Sequence, residues 1–132
     1  MTTVTIDAAI SRGTRIVNIP VLMFLVAPAV VFVGGRHSVA ILIGEKAFIL
    51  MVGVLFVLCF ACAWLWWSIH VPKWRLWAYE RVDNIPELKR RAVAAGLIWP
   101  DGSIFSRTEI KSAAHAARER ELEQSTANGS GT

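Results

Sequence analysis

Two uncharged stretches dominate the pattern of apolar and polar positions. IVNIPVLMFLVAPAVVFVGG covers 16–35 and AFILMVGVLFVLCFACAWLWWSI covers 47–69, lengths of 20 and 23 residues. As helices rising ~1.5 Å per residue they extend roughly 30 and 35 Å, about one hydrocarbon thickness. Neither repeats a polar residue every 3.6 positions, so neither has the wet face of a helix on a soluble core. The pattern predicts an all-α membrane protein: a two-helix transmembrane hairpin with a small cytoplasmic helix–turn/mini-hairpin–helix unit. The chain then divides into an N-terminal cytoplasmic arm (1–15), the hairpin (16–70) with a short outer loop (36–46), a basic juxtamembrane segment with a helical unit (71–124), and a polar tail expected to be disordered (125–132).

The first stretch has a rival reading. Arg12 and Arg15 precede it, and Ala27-Pro28-Ala29 has the small-x-small form of a signal-peptide cleavage site. The apolar run continues through Val30–Val33, however, and Pro28 sits inside the supposed site. A retained span is therefore expected. Pro20 and Pro28 fall within it, each removing a backbone donor. Asn18, at its entry, has an amide suited to headgroups or a partner helix.

Basic residues orient the hairpin. Arg12 and Arg15 flank the first stretch, and Lys73, Arg75, Arg81, Lys89, Arg90 and Arg91 follow the second. The loop between carries one Arg, one Lys and one Glu. Lys and Arg accumulate on the cytoplasmic side, so both termini are expected there, in a bacterial inner membrane. Five of the six Trp residues lie at Trp64, Trp66, Trp67, Trp74 and Trp77. Indole favours the headgroup layer. Trp64, Trp66, Trp67, Lys73, Trp74, Arg75 and Trp77 are therefore expected at the membrane interface, and Arg81, Lys89, Arg90 and Arg91 on anionic lipid.

The polar part carries capping signals. Thr5-Ile6-Asp7 is a weak helix start. Asn84, Pro86 and Glu87 form a strong one, and Gly96 supplies the stop. Pro72 precedes either a continuation of the second helix or a turn along the interface. Pro100-Asp101-Gly102 reads as a tight turn between two short apolar strands. Ser106-Arg107-Thr108-Glu109 has the form of a second capping box, opening a helix to about Gln124.

Composition sharpens this picture. The 132 residues are 55% apolar and 18% charged, yet the net charge is +4. Ordinary soluble domains are ~45–50% apolar and ~25% charged, so the excess belongs to the two spans. A multi-domain enzyme does not fit this length. The positive charge is concentrated over 73–91, next to the membrane, which argues for lipid and against nucleic acid.

Candidate chemistry is sparse. Cys59-Phe60-Ala61-Cys62 is a C-x-x-C, but it lies deep in an apolar helix, where desolvation disfavours the reactive thiolate. Two small residues at a helix contact are the expected use, and thiol redox chemistry is an alternative. His37, His70 and His115 fall on different sides of the predicted membrane. No P-loop, nucleophile elbow or zinc spacing occurs, so no metal, cofactor or catalysis is expected.

The expected function is a non-enzymatic anchor, scaffold or accessory subunit, with a homo-oligomeric pore as a further alternative. Leu97, Trp99, Ile104, Phe105, Ile110, Ala114 and Ala117 are the residues expected to meet a membrane-protein partner or a second copy. The run from Glu87 through Gly96-Leu97-Ile98 to Phe105 resembles the helix–Gly-Leu-Ile–Phe pattern of small C-terminal oligomerisation domains in bacterial membrane proteins. The Pro-Asp-Gly turn is extra to that pattern.

Overall fold

A computed structural model describes residues 3–129, apart from the side chain of Ser106. The described chain is all-helical, with two helices long and apolar enough to cross a membrane, Ile6–Gly35 and Glu45–Tyr79. The first comprises α1 (Ile6–Gly13), a π-helical turn over Thr14–Asn18, and α2 (Ile19–Gly35). Thr5 caps it, its hydroxyl accepting from the Ala8 amide at 3.3 Å. The π turn ends just before Pro20, whose ring leaves no N–H for the usual bond to Ile16.

Contacts divide the chain into two compact units. One is Ile19–Trp66; the other joins Met1–Asn18 to Trp67–Thr132. In the first, Phe48 is the buried ring and stacks on Phe32 with centroids 6.1 Å apart. A Cβ on Gly35 would lie 3.1 Å from the Phe48 ring, so glycine permits this approach. The predicted outer loop holds a short helix, α3 (Ser38–Ile43). Gly44, at φ 86°, turns the chain into α4 (Glu45–Tyr79). Apolar side chains such as Leu22, Met23, Val33, Leu50 and Val57 stay exposed. That exposure suits a lipid solvent and would be costly in water.

The second unit has a core of its own. Ala9 and Val17 from the N-terminal segment pack with Val71, Trp74, Ala78 and Tyr79 of α4, Leu88 and Ala92 of α5 (Ile85–Ala94), and Leu97 and Ile98. The N-terminal segment is therefore part of this unit, where the sequence predicts a separate arm. Ala9, Gly13 and Val17 recur every four residues and share one helix face. That face is narrow enough for α4 to come close. A Cβ on Gly13 would sit 2.7 Å from Trp74 Cε2.

The helix ends follow the capping signals at α5. The Asn84 side chain accepts from the Glu87 amide at 3.0 Å, and Pro86 lies in the first turn. At the other end Gly96 takes φ 67°, donating to Val93, and Leu97 donates to Ala92. These paired bonds form a Schellman stop, and they carry Leu97 into the core.

Three expectations change. No strand occurs among the described residues: the Pro100–Gly102 turn leads into a 3₁₀ helix, Ile104–Thr108. The last helix, α6, does not start at the 106–109 box. It covers Ala113–Gly129, with the Ser112 hydroxyl accepting from the His115 amide. Glu109 and Ile110 are instead held by α4, which keeps the backbone from Glu109 to Ser112 out of the helix. Nor is 125–129 disordered. Ser125 and Thr126 donate to the Leu122 carbonyl, and Leu122 packs on the core. The rest of the predicted tail, 130–132, lies outside the described residues.

Candidate functional site

Pro72 lies inside α4 without ending it. Its missing N–H leaves the Ser68 carbonyl without the usual i+4 donor. The Ile110 amide donates to that carbonyl at 3.0 Å. A freed backbone group at the end of the apolar run thus becomes the anchor for the segment entering α6.

One helical turn further on, Arg75 holds the same segment. Its Nη2 donates to Glu109 at 2.5 Å and its Nη1 to Glu119 at 2.9 Å. Lys111 donates to the other Glu119 oxygen at 3.1 Å. The Glu109 side chain is fully buried, and Arg75 nearly so. Such a cluster holds because both charges are matched in place; either alone would be expensive to bury. Burial opposes ionisation of Glu119, but Arg75 and Lys111 outweigh it and hold the carboxyl below its usual range.

A polar cavity of about 260 Å³ adjoins the cluster. Arg75, Lys89, Lys111 and Arg120 line it, opposed by Asp101, Glu109, Glu119 and Glu123. The four basic and four acidic side chains balance in formal charge. Lys89 bridges Asp101 and Glu123, at 2.9 Å each. Its contacts join the 100–102 turn and α6 to α5. These pairings stabilise the unit's shape.

Several predicted interface residues have other duties. Trp74 is buried, and its indole N–H donates to the Ala9 carbonyl at 2.9 Å. Arg75 is spent on the carboxylates. Trp77 is half-buried, with the Arg12 guanidinium 4.2 Å from its ring centroid. Trp64, Trp66 and Trp67 are partly exposed, and Lys73 is exposed.

The predicted lipid-binding cations also find acids. Arg90 and Arg91 both bond Glu87, whose carboxyl their hydrogen bonds pull down to about 2. Arg91 also reaches Asp7 at 2.9 Å, and Arg81 lies 3.6 Å from Glu80. The basic belt counted along the sequence is thus largely matched in space, in part by acids far along the chain.

The predicted partner residues separate into three groups. Leu97 is core. Ala114 and Ala117 are exposed on α6. Trp99, Ile104, Phe105 and Ile110 remain 43%, 77%, 42% and 59% exposed. Trp99 and Phe105 stack on each other, with centroids 4.6 Å apart, and still face outward.

Cys59 is half-buried and Cys62 exposed on α4; both are free thiols, and neighbouring Ala63 is the buried small residue. Among the described residues, no three His, Cys, Asp or Glu side chains gather where a metal could bind.

No protein-family model, curated protein or solved structure matches this chain. The site must therefore be read from its own geometry. The feature that sequence reasoning missed is the joint between the two chain ends. Its signals were present: small residues every four positions over 9–17, and a proline whose freed carbonyl needed a donor.

Proposed function

We propose that this chain is a small integral membrane protein serving as a non-enzymatic anchor or accessory subunit. Its hairpin holds a rigid unit at the cytoplasmic face, and another membrane protein or a second copy docks there. The observation that carries the reading is the shared core of the two chain ends, with Ala9 and Val17 among Val71, Trp74, Leu88 and Leu97. Segments packed in one core lie on one side of a membrane, which requires an even number of crossings. Two spans meet that requirement, and the Lys/Arg bias makes the side cytoplasmic. Cleavage after Ala29 would strip Ala9, Gly13 and Val17 from this core, which favours a retained first span.

Two surfaces remain for a partner. The apolar flanks of the spans are mostly bare. On α6, Ala114 and Ala117 are exposed one turn apart, and their small side chains allow close approach of a helix. A photo-crosslinking residue at Ala114 or Ala117, activated in native membranes, tests the reading. A discrete adduct, absent when the probe is at Asp83, is expected. A strictly monomeric chain without adducts at either position contradicts it.

A further inference from the structure

The four exposed apolar residues of the 97–112 segment have no role in the core, yet their place in the unit is well defined. Two contacts tie this segment to the positions where the chain meets the predicted membrane. At one end, a Cβ on Gly13 would lie 3.0 Å from Leu97 Cδ1, and Gly13 is three residues before the first apolar run begins at Ile16. At the other, Ile110 donates to Ser68, one residue before the second run ends at Ile69.

The chain order agrees. α4 leads away from Ser68 to Tyr79, and α5 returns toward Gly96. α6 then leads away again, placing Glu119 on Arg75 and Ser125 and Thr126 beside Asn84. The 97–112 segment is thus the end of the unit that lies level with both span entries.

We propose that the loop from Trp99 to Ile110 inserts into the headgroup and upper acyl layer of the bilayer that the hairpin crosses. Trp99, Ile104, Phe105 and Ile110 are its immersed residues. The inference rests on the hairpin reading above and reassigns these four from a protein partner to lipid. An apolar patch beside the residues where a span begins would meet the headgroup layer instead of bulk water. Indole and phenyl rings suit that layer, and nearby Arg107 is exposed and can meet an anionic headgroup. The same patch facing water would be an aggregation liability. With lipid there, the loop adds a third membrane attachment to the two spans.

Spin-label accessibility tests this directly. Nitroxides are attached one at a time at Ile104→Cys, Phe105→Cys, Val57→Cys and Glu121→Cys in a Cys59→Ala/Cys62→Ala chain. The protein is reconstituted in phosphatidylethanolamine–phosphatidylglycerol vesicles. Oxygen concentrates in hydrocarbon, and a nickel chelate stays in water. Ile104 projects outward, so its replacement disturbs no packing. The oxygen-to-nickel ratio at 104 and 105 is expected to shift from the value at 121 toward that at 57. A ratio at 104 and 105 equal to that at 121 overturns the proposal and leaves the hairpin standing. Exclusion of both relaxants there also overturns it, pointing to a protein cover. A nickel-accessible label at 57 overturns the hairpin and this proposal together.

Discussion

The two glycines Gly13 and Gly53 show how differently the two units are built. A Cβ on Gly13 would collide with the Trp74 indole; a Cβ on Gly53 would meet nothing within 4 Å. The unit of the chain ends is specified by shape and by directed polar bonds. Trp74 bonds Ala9, Arg75 bonds Glu109 and Glu119, and Ile110 bonds Ser68. The span unit is specified mainly by length and apolarity, with ring contacts such as the Phe32–Phe48 and Phe60–Trp64 stacks. Water drives the first kind of packing, because apolar burial is favourable there. In the proposed bilayer, lipid would supply no such drive between helices and would tolerate exposed apolar flanks.

The largest expected effect is at Arg75. Arg75→Ala leaves Glu109 buried with only Lys111, 3.8 Å away, a change that costs about 3–5 kcal/mol. Near-ultraviolet circular dichroism in detergent should report loss of tertiary signal from the chain-end unit, while far-ultraviolet helicity of the spans persists. Equal thermal midpoints for variant and parent would refute the buried-pair account. Next comes the glycine pair. Gly13→Val should destabilise by about 1–3 kcal/mol through overpacking, and Gly53→Val by much less. Similar losses at both sites would erase the contrast drawn between the units. Asn84→Ala removes the α5 cap and should cost about 1 kcal/mol, read as a lower unfolding temperature with unchanged membrane extraction.

The smallest effect is confined to acid. Glu119 has a folded pKa below its unfolded value. Its contribution is therefore fully present above the unfolded pKa of about 4.3 and is lost as pH falls through the folded value. Unfolding midpoints from pH 6 downward should fall below about pH 4, and the dependence should flatten in Glu119→Gln. A parent whose midpoint is level across that range contradicts the assignment.

Local chemistry was legible in the sequence. The Asn84 cap, Pro86, the Gly96 stop and both apolar runs each depend on neighbours within a few residues. The remainder depended on distant ones. Arg75 follows the second apolar run among other basic residues and reads as a headgroup contact, because its carboxylates lie 34 and 44 residues away in sequence. Trp74 looks like an interfacial indole until the Ala9 carbonyl, 65 residues distant, takes its N–H. The capping box at 106–109 is a valid local signal that loses to two tertiary bonds, from Arg75 to Glu109 and from Ile110 to Ser68. The N-terminal segment reads as a short polar arm because its neighbours in the core, Trp74, Leu88 and Leu97, lie more than sixty residues from Ala9 in sequence.

The central claim is that both chain ends form one unit on one side of a membrane. Single cysteines at Thr3, His37 and Ser125, in the Cys59→Ala/Cys62→Ala chain, allow labelling of intact and permeabilised cells with an impermeant maleimide. The account predicts that positions 3 and 125 react only after permeabilisation and that position 37 reacts in intact cells. Labelling of 3 and 125 from opposite sides would contradict it.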